Sequence, residues 1–181
     1  MSLLWYRKQL DKMTAELAEI LAKKDNPPII QQITRAAIAN LFLAKGDRAA
    51  AAPYIEQVRR DQDELRRRGG ISAYGSPLYE FDIQMEARLG NRSEVEKEIQ
   101  ELLDKTRHDK WESPNSETIA AVAYVLLGDF DHAFPFLEDA ITQPSARSLT
   151  PAYLRLDPIW DGVRNDPRFQ KMAAQPLRQT K

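Results

Sequence analysis

The chain has 181 residues, 26 Lys plus Arg, 27 Asp plus Glu, a net charge near −1 and no cysteine. This balance argues against broad attraction to nucleic acid or to an anionic membrane, and the lack of cysteine excludes disulfides and thiolate metal sites. The longest apolar run, Ile119 to Leu127, is far shorter than the roughly 20 residues that span a bilayer. Without a signal-like N-terminal pattern, the sequence predicts a cytoplasmic protein, with the periplasm as the alternative if the chain belongs to a membrane-anchored regulator.

The composition is that of a helical protein. Glycine occurs only seven times, and Ala, Leu, Glu, Arg, Lys and Gln, which favour helices, dominate. No stretch alternates apolar and polar residues with β-branched enrichment, so no strand is predicted. The expected fold class is all-α.

The first predicted helix runs from about Leu3 to Lys23. Its apolar residues recur at spacings of three and four, which places them on one face. They are Leu3, Tyr6, Leu10, Met13, Leu17 and Ile20. One interpretation makes residues 1–28 an N-terminal helix that docks on the rest of the chain or ends a preceding repeat. The alternative is a coiled-coil seam over Leu3 to Leu21 that pairs two copies as a homodimer.

A helix-start signature recurs along the chain. A capping residue precedes a proline, whose missing N–H has no partner in the first helical turn anyway. The signature occurs at Asn26-Pro27-Pro28, Ser76-Pro77, Ser113-Pro114, Asp157-Pro158 and Asp166-Pro167. Residues 68–75 are the clearest predicted loop, and residues 48–67 are predicted to form one long helix.

Three glycines, Gly46, Gly90 and Gly128, each follow an apolar helical stretch and precede Asp or Asn. This pairing predicts tight helix–helix turns, because glycine relieves a left-handed C-cap and the polar residue can cap the next helix. Positions counted from the glycines carry matching chemistry. Before the glycines, the matching residues are Ala39, Ile83 and Ala121 at seven positions and Phe42, Glu86 and Tyr124 at four positions. After the glycines, they are Ala51, Val95 and Ala133 at five positions, Ile55, Ile99 and Leu137 at nine positions, and Val58, Leu102 and Ala140 at twelve positions.

The order of small, aromatic, glycine, small, bulky and small residues resembles the tetratricopeptide repeat, in which two antiparallel helices meet through small side chains. The third repeat fits best, with Ala121, Tyr124, Gly128, Ala133, Leu137, Ala140 and Pro144 close to the family pattern. The second departs most, with Glu86 in place of the aromatic residue. The resemblance implies three helical hairpins over residues 29–144, stacked as an α-α superhelix.

The segment from Tyr153 to Phe169 resembles the closing element of many bacterial tetratricopeptide arrays. Such elements occur at the C-termini of winged-helix regulators, cyclase-like proteins and kinase-linked sensors. Its apolar residues are predicted to cover the open face of the last hairpin, since a solenoid needs terminal caps to stay soluble. They are Leu156, Ile159, Trp160, Val163 and Phe169. Residues 145–181 are therefore predicted to be a capping segment.

The family's groove positions imply where a protein or peptide partner would bind, because the first helix of each hairpin lines the concave side. Carried over to this chain, they are Asn40, Leu43, Glu80, Gln84, Arg88, Thr118, Val122 and Val125. Glu80, Gln84 and Arg88 recur every four residues and form the polar part. A clamp for a chain-terminal carboxylate is not expected, because only Asn40 matches the asparagines and lysines of such clamps.

No catalytic, cofactor-binding or metal-ligating residues are predicted. His108 and His132 lack partners at metal-ligand spacing, and no nucleophile elbow or phosphate loop occurs. The charged run from Arg59 to Arg68 includes three acids, which favours a solvated helix with internal ion pairs over a phosphate-binding patch.

These features predict a protein-interaction module and not an enzyme. The resemblance implies the C-terminal scaffolding or sensory part of a larger bacterial regulatory protein. The alternatives are self-association through the N-terminal helix and a helical small-ligand sensor or enzyme. No direct nucleic-acid or membrane partner is expected.

Overall fold

The computed structural model describes residues 3–67, 77–143 and 149–175, and these residues form an all-α protein, as predicted. Their helices are α1 (Leu3–Tyr6), α2 (Leu10–Ala22), α3 (Pro28–Ala44), α4 (Arg48–Arg67), α5 (Pro77–Leu89), α6 (Arg92–Thr106), α7 (Ser113–Leu126), α8 (Phe130–Thr142), α9 (Pro151–Leu156) and α10 (Pro167–Ala173), with a 3-10 turn at Pro158–Trp160 between the last two. No strand occurs within the described ranges. The predicted loop at 68–75, Ser76 and Pro144 lie outside them.

The chain forms two compact units, an N-terminal unit over Met1–Leu89 and a C-terminal unit over Gly90–Lys181. The division falls inside the segment predicted as three hairpins. The N-terminal helices belong to the same unit as α3 to α5, and the short C-terminal helices belong to the same unit as α6 to α8.

In the N-terminal unit, α3 packs against α4 on one side, against α5 on another and against α2. The core between α3, α4 and α5 combines small and branched side chains: Ala36, Ala39, Leu43, Ala51, Ile55, Val58 and Met85. Alanines at the α3–α4 contact let the two backbones approach closely, and the larger residues fill the space around them. The predicted helix over residues 48–67 is confirmed as α4.

The prediction of one continuous N-terminal helix is wrong. The chain breaks after Tyr6, where Lys8 has a φ of 54°, and α2 begins at Leu10. The interruption leaves α2 with 13 residues, which is less than two heptads and short for a coiled-coil seam. Because α2 packs on α3, the docking interpretation fits this unit better.

In the C-terminal unit, α7 lies between α6 and α8, and the C-terminal turns pack on α7 and α8. Trp160, Val163 and Phe169 are almost fully buried, as predicted for the capping segment. The prediction for Leu156 is wrong, because its side chain is 66% exposed and Leu154 is buried instead. Two residues along a helix turn the side chain through about 200°, so only one of these leucines can face the core.

The three glycine turns have the predicted left-handed geometry, with φ values of 77° at Gly46, 84° at Gly90 and 75° at Gly128. Two of them share one hydrogen-bond pattern. The N–H of Asp47 donates to the carbonyl of Phe42 at 2.9 Å, and the N–H of Asp129 donates to that of Tyr124 at 2.9 Å. Carbonyls in the last turn of a helix have no N–H partner four residues further along the helix, and this bond supplies a donor to one of them.

Replacing Gly128 with alanine should lower the free energy of unfolding by about 1–2 kcal/mol, because a left-handed conformation costs an L-residue that much. A Cβ at Gly128 meets no atom within 4 Å, so the loss is conformational and not steric. Gly162→Ala is the matched control, since Gly162 is equally uncrowded and lacks a positive φ. Urea denaturation compares the two, and equal losses would contradict the conformational explanation.

The capping signature is confirmed at two of its five places. The carboxylates of Asp157 and Asp166 accept from the backbone N–H groups of Ile159 and Arg168, at 2.9 and 2.8 Å. The prediction for Ser113 is wrong, because α7 starts at that residue and its hydroxyl donates to Glu117. At the start of α3 the capping position is occupied by Pro27, which makes no side-chain bond.

Candidate protein-binding surface

Three polar residues follow one another along one face of α5: Glu80, Gln84 and Arg88. Their spacing of four residues stacks them on successive helical turns. The amide Nε2 of Gln84 donates to Oε1 of Glu80 at 3.1 Å. We call these three residues the α5 stripe.

Asn40 on α3 holds α5 in place. Its Nδ2 donates to the carbonyl of Phe81 at 2.8 Å and to the carbonyl of Ala36 at 3.1 Å. The residue is buried, and its Oδ1 has no hydrogen-bond partner. Asn40 was predicted to contact a partner, but its amide group is used to join two helices.

An ion pair also joins α4 to α5. Glu86 is only 7% exposed, and its two carboxylate oxygens accept from Nη2 of Arg59 at 3.0 and 3.3 Å. Glu86 lies four residues before Gly90, the position that Phe42 and Tyr124 occupy before Gly46 and Gly128. At this position Glu86 forms a charge-assisted contact, whereas Phe42 and Tyr124 each contribute an aromatic ring.

Among the described residues, Arg88 lacks the acidic partner that other arginines of this unit have, such as Arg35, which pairs with Asp61. Its Nε is buried without a hydrogen-bond partner, and no ion pair with a described residue reaches it. Burial lowers the pKa of Arg88 to about 10. The group still carries a full positive charge at neutral pH, so the N-terminal unit holds a partly buried cation that lacks a described counter-charge.

A second cation lies at the same end of α5. Nη2 of Arg48, an exposed residue at the start of α4, donates to the backbone carbonyl of Arg88 at 3.5 Å. Sequence reasoning did not single out Arg48. The sequence feature that could have indicated Arg48 is its position two residues after Gly46, at the first residue of α4.

The predicted partner-binding residues divide into two groups by exposure. Asn40, Leu43, Gln84, Val122 and Val125 are each less than 10% exposed. Glu80, Arg88 and Thr118 are half-buried. A buried side chain offers a partner little surface, so the accessible part of the predicted set reduces to the latter three.

A polar cluster in the C-terminal unit joins α6 to α8. Asp129 accepts from the backbone N–H of His132 at 3.2 Å and lies 2.8 Å from its Nδ1, while its other oxygen pairs with Arg92 at 2.8 Å. Tyr124 stacks between His132 and Phe136, with ring centroids 5.3 and 6.0 Å away. His132 therefore belongs to the cap of α8, which is a structural role.

Acid should weaken the C-terminal unit through Asp129. Hydrogen bonds from His132 chiefly, and then from Arg92, hold the pKa of this carboxylate below its ordinary value of 3.8. A depressed carboxylate contributes stability that is present above its unfolded pKa and is lost as the pH falls through the folded value. Between about pH 5 and pH 2, wild type should lose stability more steeply than Asp129→Asn. Parallel pH profiles in urea denaturation would contradict this role.

The charged run on α4 consists largely of paired residues. Besides the pair between Arg59 and Glu86, Arg60 pairs with Glu56 at 3.0 Å and Arg67 with Glu64 at 3.6 Å. These contacts favour the solvated-helix interpretation over a phosphate-binding patch. Arg68 lies outside the described residues.

Two features of the described helices escaped the sequence interpretation. Pro53 and Pro135 lie inside α4 and α8, each seven residues after its turn glycine, so they extend the list of matching positions counted from Gly46 and Gly128. Thr150 precedes Pro151 and accepts from the N–H of Tyr153 at 3.1 Å. This is the same capping signature as at Asp157, and the same rule applied to Thr150 would have found it.

Within residues 3–67, 77–143 and 149–175, no group of three or more His, Asp or Glu side chains is placed to hold a metal ion. None of the helices described there combines the length and the apolarity needed to cross a membrane. No family model, no curated protein and no solved structure matches this chain.

Proposed function

We propose that this chain is a protein-interaction module that binds a segment of another protein at the accessible residues of the α5 stripe, Glu80 and Arg88. In the tetratricopeptide-like interpretation, it is the C-terminal scaffolding or sensory part of a larger bacterial regulatory protein. Helical hairpin repeats bind partners on the surfaces of their helices and need no enclosed reaction site.

The observation that carries the proposal is the common construction of the Gly46 and Gly128 turns. Both glycines have positive φ. The backbone N–H of the aspartate that follows each glycine donates to the carbonyl of the aromatic residue five positions before that aspartate. The counted positions agree as well: of the fifteen matched side chains, all except the half-buried Phe42 are buried. Equivalent turns with equivalent core positions support a repeat architecture.

A peptide-display selection on the whole chain tests the proposal. Selected peptides should bind in solution and should crosslink to a photoreactive residue placed at Glu80, which is half-buried on the stripe. The matched control carries the same group at Glu101, an exposed position on α6. Absence of any binding peptide, or equal crosslinking from the two positions, would overturn the proposal.

A second candidate, self-association, is favoured by one observation. Four large apolar side chains near the start of the chain are exposed: Leu3 at 70%, Ile20 at 36%, Ile29 at 47% and Ile30 at 39%. Such groups can mark a contact surface between copies. Sedimentation velocity over a concentration series distinguishes the candidates. A dimer that Ile29→Asp converts to monomer supports self-association, and a monomer at all concentrations removes it.

A further inference from the structure

An arginine inside a folded unit normally has an acceptor. Its guanidinium carries five N–H donors, and a buried donor without a partner costs free energy that water no longer offsets. Arg88 bears such a cost, because its Nε is buried and unpartnered while its charge is retained. Its position in the last turn of α5 lets the helix dipole offset part of this cost, but the dipole supplies no acceptor for Nε.

We infer that Arg88 receives a carboxylate from an acidic side chain of the bound peptide. The planar fork of a guanidinium matches the two oxygens of a carboxylate, and Arg48 adds a second positive charge at the same end of α5. This assignment rests on the proposed function and specifies the ligand chemistry of the α5 stripe.

The charges along the stripe favour a peptide over a polyanion. Glu80 lies eight residues before Arg88, which corresponds to about 12 Å along the helix. A nucleic-acid backbone that lay along the stripe would bring its phosphates against this carboxylate. A peptide with one acidic residue avoids that repulsion, and about four extended residues cover the same distance.

The assignment predicts that stability and binding change in opposite directions at Arg88. Arg88→Met keeps most of the side-chain length and removes the unpartnered charge, so Tm should rise by about 2–5 °C. The same variant should bind an acidic peptide about 10- to 100-fold more weakly, which is the range for a lost charge-assisted hydrogen bond. Arg88→Lys keeps the charge without the fork and should also lose most of the affinity.

The direct test needs no known partner, and it is made on the wild-type chain. The Nε–Hε signals of 15N-labelled arginines in the wild-type chain are followed during titration with N-acetyl-glutamate amide. N-acetyl-glutamine amide serves as the neutral ligand control, and sodium chloride and inorganic phosphate are added at matched ionic strength. Arg60, which is already paired with Glu56, provides the internal control signal, and Arg88→Met assigns the Arg88 signal.

The expected result is a saturable shift of the Arg88 signal with the glutamate ligand alone, while the Arg60 signal stays in place. No shift beyond that caused by sodium chloride, or an equal shift with the glutamine ligand, would overturn the inference. A response to phosphate alone would also overturn it and would assign the site to phosphate-bearing ligands. If selected peptides bind wild type and Arg88→Met equally, the inference fails while the proposed function stands.

Discussion

Replacing Trp160 with alanine should lower the free energy of unfolding of the C-terminal unit by about 3–5 kcal/mol, the usual cost of truncating a buried Trp. Trp160 is 0% exposed. Its ring packs edge-on against Tyr153 at a centroid distance of 6.5 Å and lies 6.0 Å from the ring of Phe169. Because the turn that carries Trp160 packs on α7, the cavity would open between the capping segment and the last long helices.

Trp160→Phe is the informative control. The indole Nε1 of Trp160 is buried without a hydrogen-bond partner, so phenylalanine loses volume but no polar contact. Its cost should be about 1–2 kcal/mol, within the range of partial truncations of a core side chain. Leu156→Ala, at a 66% exposed position in the same segment, should be nearly neutral.

Hydrogen exchange of the α7 and α10 amides, combined with urea denaturation followed by helical circular dichroism, measures these effects. Hydrogen exchange at individual amides is needed because the chain has two compact units, and circular dichroism of the whole chain averages the unfolding of both. If Trp160→Ala leaves the protection of α7 unchanged, the capping segment does not stabilise that helix.

Enlarging Ala51 to leucine should destabilise the N-terminal unit by about 1–3 kcal/mol, the usual cost of overfilling a packed core. Ala51 is 0% exposed and belongs to one cluster with Ala39 of α3 and Met85 of α5. Three added carbons have no space to occupy unless α4 moves away from α3, and that movement would weaken neighbouring contacts.

Ala52→Leu on the next position of α4 is the matched control, because Ala52 is exposed. It adds the same atoms to the same helix, and its effect should lie within about 0.5 kcal/mol of zero. Urea midpoints of the two variants compare them directly. Equal effects would show that the α3–α4 contact tolerates larger side chains.

The turns and the core could be predicted from the sequence because they depend on local chemistry and on helical periodicity. Gly128 is followed by Asp129 after an apolar stretch, and only glycine adopts the left-handed C-cap at little cost. Ala51 was placed at a helix contact from its distance to Gly46, and Trp160 was placed in the core from the resemblance of the C-terminal segment to a closing element. The break at Lys8 was missed, because an apolar stripe with helical spacing continues across it without glycine or proline.

Local sequence patterns therefore suffice to predict the helical class, the glycine turns and most of the core positions. The resemblance of the last segment to a closing element predicts the burial of Trp160 and Phe169. Which polar residues of α3 and α5 stay accessible, and which are paired, depends instead on how the helices pack. Asn40 and Glu86 acquire partners on other helices, at Phe81 and Arg59, whereas Arg88 has no described acidic partner. Pairing and burial depend on residues that are distant in the chain, so they are set when the helices pack and are not visible in local spacing.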